Sequence, residues 1–415
     1  MTRNGTRTRK PRAKAARLPS PPIEVDAGGH PPLGMPADRF LRDYWQKRPL
    51  LIRNAFPGFV SPIDPEDLAG LACEEAALSR IVVHDRAGDR YHLRTGPFAE
   101  EEFPGMPDHD WTLLVQDVDK WDADVRALLD HFAFLPRWRI DDIMVSFAAT
   151  GGSVGAHIDQ YDVFLLQARG RRRWMIDAGP NPPTAFRDDS ELKLLREFSP
   201  THDWVLEPGD MLYLPPGVPH HGVAEDPCLT FSVGMRAPSS GELITDWLDT
   251  LLEEADDEGI RYRDDDLAPP ADPNEIDDAA MARVIAALNA LRMRDPDRLG
   301  SWFGRFITRY RGVDVAAGGP PRPRIEVEWD LARRGASLER HPFSRMAWRR
   351  TRRGASLFVS GGEYPMPARD ARRLAAAQGI DGGLYDSLSQ AGRDAVFELY
   401  SAGHYVLVLP DGNGA

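Results

Sequence analysis

Cysteine is nearly absent: Cys73 and Cys228 are the only two in 415 residues. That excludes a disulfide scaffold and a zinc site built from clustered cysteines, and it fits a reducing compartment. No run of about 18 apolar residues occurs, so no membrane-spanning helix is expected. No apolar core follows Met1 as a secretory leader requires. Acids are missing from Met1 to Ser20, where Arg3, Arg7, Arg9, Lys10, Arg12, Lys14 and Arg17 stand unopposed. The remainder is strongly acidic, since the chain as a whole carries -13. The expectation is a cytoplasmic protein with a solvated basic arm, whose sharper use would be loose contact with RNA phosphates.

What is present is enough apolar residue, 42% of the chain, for two or three domains. Leu18–Pro36 is rich in proline and glycine and reads as a linker. Asp38–Trp45 has helical apolar spacing with Asp38 placed as N-cap, and Leu50–Ile52 reads as a short buried strand. From about Trp111 to Arg236, short apolar runs alternate with glycine and proline turns: Ile143–Phe147, Val163–Gln167, Arg171–Ile176, Met211–Leu214 and Leu229–Val233. That rhythm predicts an antiparallel barrel or sandwich. Beyond Pro238 the period becomes helical. Leu243, Ile244, Trp247, Leu248, Leu251 and Leu252 form one stripe with Ser239 or Ser240 as cap, and further helices are expected over Ile276–Met293 and Leu299–Tyr310. From Arg324 short strands and helices mix as in a small α/β domain, ending in Tyr405–Leu409.

The chemistry concentrates in two short motifs. His157–Ile158–Asp159 follows a glycine-rich turn, and residues two apart on a strand share a face. An imidazole and a carboxylate can therefore meet at one point. Pro215–Pro216–Gly217–Val218–Pro219–His220 supplies a rigid turn and a second histidine. Two histidines and one carboxylate leave open positions on iron(II), which suits oxygen activation. His221 competes for the third place, but the Pro-x-Gly-x-x-His spacing selects His220 and turns His221 to the opposite face. In Arg171–Ile176, alternation puts Arg172, Trp174 and Ile176 on the bulkier, inward face. Arg172 is then a buried cation in need of an anion, either a co-substrate carboxylate or a barrel acid such as Asp162 or Asp210.

These residues resemble a known family. His157–Gln167 followed by Gly170–Trp174, then Asp210–Gly217 and Phe231–Gly234, are similar to the bacterial ribosomal oxygenases, as is Tyr44–Trp45 with Lys47, Pro49 and Leu50. The resemblance is motif-rich from about Pro36 to Pro238 and continues by layout alone to the C-terminus. Composition marks 1–35 as a basic disordered tail and linker, and the resemblance implies an α+β protein with a JmjC/cupin double-stranded β-helix over 36–238, a helical dimerisation region over 239–312 and a winged-helix-like domain over 313–415. It implies an iron(II)- and 2-oxoglutarate-dependent oxygenase that uses O2 to hydroxylate an arginine of a large-subunit ribosomal protein. Metal binding falls on His157, Asp159 and His220, 2-oxoglutarate binding on Arg172, and the assembly is a homodimer. The chain departs from the pattern in its basic tail and in reading His220–His221 where an acid often follows the ligand.

Two alternatives share these motifs: a JmjC lysine demethylase, and a cupin whose metal is only structural. The second makes no succinate; the first removes methyl groups where a hydroxylase adds oxygen. The acid-rich stretch between Asp246 and Asp278 reads as a solvated loop or a docking face for a basic protein. Arg345, Arg349, Arg350, Arg352 and Arg353 cluster before the strand Ser356–Ser360, but no arginine-rich recognition helix accompanies them. Specific DNA binding is therefore not expected, and nucleic acid contact is weak at most.

Overall fold

The computed structural model describes residues 21–253, 276–290, 295–310 and 322–410. Its first part is built from twelve strands: β1 (Glu24–Asp26), β2 (Leu50–Arg53), β3 (Ser79–Asp85), β4 (Arg90–Thr95), β5 (Trp111–Val115), β6 (Ile140–Ala148), β7 (Val163–Arg169), β8 (Arg172–Ile176), β9 (His202–Leu206), β10 (Met211–Leu214), β11 (His220–Ala224) and β12 (Cys228–Met235). Nine form a large sheet in the order β1-β2-β10-β7-β12-β6-β5-β3-β4, and β11-β8-β9 form a small one. The two sheets enclose a cavity, which is the double-stranded β-helix of the JmjC/cupin fold.

Strand alternation decides what each face meets. On β6, Ile143 and Val145 are fully buried in the core behind the large sheet, with Phe164 and Phe231 from β7 and β12. The alternate residues, Asp142, Met144 and Ser146, line the cavity. Register carries the same choice across the sheet: Ser146 lies opposite Leu114 on β5 and Thr230 on β12, and Ala148 lies opposite Thr112 and Cys228. Side chains directly opposite in an antiparallel pair share a face, so one wall of the cavity is built in rows.

Helices follow the barrel. Ser240–Glu253 is opened by Ser239, whose hydroxyl accepts from the Glu242 amide while the Glu242 carboxylate accepts from the Ser239 amide. Asp278–Ala290 and Pro296–Thr308 come next, the latter capped by Asp295 with proline at its first turn. The C-terminal domain holds helices Arg324–Leu331, Ala368–Ala376 and Gln390–Ser401, and strands β13 (Ser337–Arg340), β14 (Met346–Thr351), β15 (Gly354–Val359), β16 (Gly362–Met366), β17 (Gly379–Asp381) and β18 (Tyr405–Val408). Its own core gathers around Leu338, Leu357, Leu374, Val396 and Leu399.

Several expectations need correction. Residues 21–35 are not a linker: β1 pairs in parallel with β2, and Ala27, Leu33 and Met35 are buried. The prolines and glycines there punctuate turns of a packed segment, as where the Gly28 amide donates to the Asp26 carboxylate at 2.8 Å. Asp38 does not cap the first helix, which spans Ala37–Asp43 with Pro36 at the cap and no side-chain cap bond. The hairpin β3–β4 was not read from the sequence, although Gly88–Asp89 marks its turn. The apolar stripe on Ser240–Glu253 divides: Trp247 packs edge-on against Trp302 at 5.4 Å, while Ile244, Leu248 and Leu252 are exposed. The arginine cluster is largely spent within the chain, Arg345 on Asp141, Arg349 on Asp297 and Arg352 on Asp295 and Asp297. The basic tail, most of the acid-rich stretch and Leu291–Met293 lie outside the described residues.

Candidate metal and co-substrate centre

Two motifs some sixty residues apart are locked together by backbone. The His157 amide donates to the His220 carbonyl at 3.0 Å, and the His220 amide donates back to His157 at 3.0 Å. The Gly217 amide donates to the Asp159 carbonyl at 2.8 Å. Gly217 has φ of 83°, a left-handed conformation that favours glycine, so the Pro-Gly turn is what brings the second histidine to the first.

The side chains then converge. The imidazoles of His157 and His220 lie 4.2 Å apart between centroids, and His220 Nε2 is 3.6 Å from a carboxylate oxygen of Asp159. All three offer ligand atoms within 4.8 Å of one another. The ring orientations are set from behind. His157 Nδ1 faces the Gly155 carbonyl at 3.0 Å, and His220 Nδ1 faces the Val218 carbonyl at 2.9 Å. A carbonyl can only accept, so each Nδ1 carries the proton and each Nε2 presents its lone pair inward, as metal-binding histidines do. Burial pushes the His220 imidazole down to about 4, helped by neighbouring His157, which keeps it neutral and able to ligate. His221 turns away, as expected, to Ser153 Oγ at 3.0 Å.

Arg172 lies on the same wall. Its guanidinium carbon is 5.1 Å from the Trp174 ring, and that ring is 5.9 Å from the His220 imidazole. Arg172 is 3% exposed; its Nη2 reaches only the Gly222 carbonyl at 3.3 Å, while Nε and Nη1 have no partner. Gly222 is glycine of necessity here, because a Cβ would stand 2.7 Å from Arg172 Nε. Neither barrel acid answers the cation. Asp162 accepts from Tyr213, Gln46 and Arg139, and Asp210 accepts from Arg53 and the Asn54 amide. Arg173 faces out, paired with Asp203 and Glu225. The neighbour on the inner side is the Cys228 thiol, held neutral because burial pushes it up. A buried guanidinium with two idle donors fits a carboxylate ligand.

The cavity that holds these groups measures about 630 Å³. Its other end is acidic, and the sequence reading missed it. Asp117, Asp141 and Asp142 line it, together with Tyr310 and Arg345 from beyond the barrel. Asp142 is pushed up to about 7, first by burial and then by Asp117 and Asp141 beside it. Its signal was faint: an acid pair opening an apolar strand, with Asp142 in phase with Met144 and Ser146. Two further polar atoms on the wall have no partner, Thr112 Oγ1 and Trp174 Nε1.

The JmjC domain family model matches residues 127–243, and the ROXA-like winged helix model matches residues 290–406. The ribosomal protein uL16 3-hydroxylase of Escherichia coli K12 is 37% identical over 340 residues, 80% of this chain and 86% of that protein. The chain belongs to the ribosomal oxygenase family. A probable ribosomal oxygenase of Haemophilus influenzae is 42% identical over 206 residues, 49% of this chain and 50% of its own. Among solved structures, E. coli YcfD superposes with a TM-score of 0.81 at 34% identity, over 91% of this chain and 99% of that one. The same ribosomal oxygenase has been solved with cobalt and 2-oxoglutarate, at a TM-score of 0.77 and 34% identity over 90% of this chain and 99% of that one. The likeness to this ribosomal oxygenase extends through the helical region and the winged helix.

Proposed function

We propose that this protein is an iron(II)- and 2-oxoglutarate-dependent oxygenase that hydroxylates an arginine side chain of a large-subunit ribosomal protein. The observation that carries the reading is the buried Arg172, with no acid beside it and two donors unpaired, sharing one cavity wall with the His157–Asp159–His220 cluster. A cupin whose metal is only structural has no use for such a cation. The donor set fits iron(II): two neutral imidazoles and one carboxylate on one face, open on the other. His157, Asp159 and His220 would hold the metal, and Arg172 would clamp the distal carboxylate of 2-oxoglutarate. When bound, iron with 2-oxoglutarate and O2 supplies the oxidant that places one oxygen on an unactivated C–H bond, with succinate and carbon dioxide as by-products.

The chain's own work is positioning. Arg172 fixes one end of the co-substrate, Trp174 closes the wall between that end and His220, and the acid end accepts a cation. An arginine guanidinium suits that end, and the E. coli relative's name supports a substrate in ribosomal protein uL16. Such a substrate places the reaction in the cytoplasm. Purified protein with iron(II), 2-oxoglutarate and an arginine-containing peptide of uL16 should give peptide heavier by one oxygen and one succinate per turnover. Succinate without peptide oxidation would overturn the arginine assignment, and loss of methyl groups from methylated peptides would favour a demethylase.

We also propose a homodimer through the helical region. Ile244, Leu248 and Leu252 on one helix and Met281, Ile285 and Leu288 on the next are exposed, more apolar surface than a monomer usually leaves bare. Leu248→Arg should give monomers by light scattering. Trp247, on the same stripe, faces Trp302 and is the wrong residue for this test.

A further inference from the structure

The acid end of the cavity is not completed by the barrel. Asp117 lies between β5 and the helix Val118–Trp121, and Asp141 and Asp142 open β6. Tyr310 follows the helix Pro296–Thr308 and Arg345 precedes β14 in the C-terminal domain, yet both reach the cavity wall. The Tyr310 hydroxyl donates to Asp117. Arg345 Nη2 donates to the Asp141 carbonyl at 2.9 Å and to its carboxylate, and its guanidinium lies 4.8 Å above the Tyr310 ring. Phe343 packs edge-on to Tyr310 at 5.6 Å and to Trp121 at 5.9 Å, holding this corner of the C-terminal domain on the barrel.

Each acid here has an assigned partner except one. Lys120 Nζ stands 3.5 Å from Asp117 and 2.5 Å from Asp119, and it also donates to the Asp141 carbonyl. Asp119 accepts from the Ile143 amide. Asp141 is held below the usual carboxylate range: burial pushes it up, but Arg345 outweighs that, with help from Arg236 and Lys120. Asp142 accepts only the Asp117 amide at 3.1 Å, and no cationic side chain pairs with it among the described residues. Tyr161, near the triad, lines the same cavity. Arg345 Nη1 is buried without a partner.

We propose that Arg345 and Tyr310 are specificity-setting positioning residues, which engage Asp141 and Asp117 so that Asp142 is the one carboxyl left for a cationic substrate side chain. Recognition then depends on the C-terminal domain being docked, which gives that domain a role in catalysis without nucleic acid. This rests on the arginine reading above. Without Arg345, Asp141 and Asp117 lose a countercharge and Asp142 is harder to ionise, so the substrate meets a protonated carboxyl near neutral pH.

The test is peptide affinity as a function of pH, measured on the full chain by calorimetry with an arginine-containing peptide. Arg345→Gln should weaken binding by about fivefold at pH 7, because a shift of about one pKa unit takes Asp142 from about half ionised to about one-tenth ionised. The gap should close toward pH 9, where Asp142 ionises in both proteins. Arg345→Lys should restore most of the loss, and Tyr310→Phe should move in the same direction by less. A loss equal at every pH would mean Arg345 only braces the fold, and no loss would mean it is idle; either overturns the proposal. Wild-type protein that turns over 2-oxoglutarate but binds no arginine peptide would instead remove the substrate reading beneath it.

Discussion

The two ends of the cavity receive opposite charges by opposite constructions. At one end a single residue, Arg172, opens β8 with two of its donors idle and its neighbours neutral. At the other, acids from two segments are partly neutralised by Lys120 beside them and by Tyr310 and Arg345 from two more. Asp142 and Ala148 mark the two ends on β6, six residues or about 20 Å apart at strand rise. A small dianion of fixed shape can be met by one rigid fork. A long protein side chain arriving from outside must be met by a surface assembled after the domains have docked. The anion end is thus local and the cation end is tertiary, and substitutions should separate them.

The largest effect should come from removing what both ends serve. His157→Ala, Asp159→Ala or His220→Ala should each lower turnover by more than about a hundredfold, the upper range seen for outer-shell metal partners alone. His221→Ala should keep most activity, because its Nε2 is engaged by Ser153. Metal content by mass spectrometry checks the assignment, and a metal-free His221→Ala with loaded His220→Ala would reverse it. Next in size is Arg172→Ala. Losing charge-assisted hydrogen bonds worth about 1.5–3 kcal/mol should weaken 2-oxoglutarate binding by roughly ten- to a hundredfold with metal retained. Arg173→Ala should bind it normally, being tied to Asp203 and Glu225 outside.

This asymmetry also explains what the sequence could reveal. The anion end was legible because strand period two places Arg172 and Trp174 inward together and Arg173 outward. The convergence of His157, Asp159 and His220 was legible because the Pro-Gly turn and the glycine-rich turn bracket these side chains within a few residues. Barrel strands were legible from their apolar runs. The cation end was not, since nothing in the order of residues says that Arg345 meets Asp141 across 204 positions. The first strand was hidden for a related reason: Glu24–Asp26 carries two acids in three residues, and its pairing with Leu51–Arg53 is what makes it a strand. The helical stripe was read correctly as apolar but not as two faces, because the partner that takes Trp247, Trp302, lies two helices away.

Asp142→Asn sharpens the contrast from the cation end. It should weaken arginine-peptide binding on the order of tenfold at pH 8 while leaving 2-oxoglutarate binding unchanged. Wild-type affinity should itself fall as pH drops below about 7, where Asp142 takes up a proton. Stability should move the other way. The raised carboxyl holds in the folded state a proton that the unfolded chain releases near its ordinary value of about 4. Its contribution is therefore fully present in acid and is lost as pH rises toward about 7. Asparagine does not titrate, so the variant's advantage in Tm over wild type should be larger at pH 8 than at pH 5. An advantage that does not grow with pH would mean that Asp142 is not the strained carboxyl.

The smallest expected effect asks whether the anion end is as simple as one arginine. Thr112 on β5 is fully buried and its hydroxyl has no partner. It lies opposite Ala148, which lies opposite Cys228, the thiol beside Arg172, so the hydroxyl belongs to the same row as the cation's neighbour. A buried hydroxyl left unpaired costs about 1–3 kcal/mol, and such a cost persists in a functional site when a ligand relieves it. Thr112→Val keeps the shape and removes the polar atom. The ligand-free protein should then become more stable, with a higher Tm, whatever the hydroxyl does. If the hydroxyl bonds the co-substrate, 2-oxoglutarate affinity should also fall, by about three- to tenfold for one neutral hydrogen bond of about 0.5–1.5 kcal/mol. A rise in Tm with unchanged 2-oxoglutarate affinity would leave Arg172 as the sole polar anchor at that end. A fall in Tm would instead mean that Thr112 supports the β5–β6 pairing and that its hydroxyl is no unpaired cost.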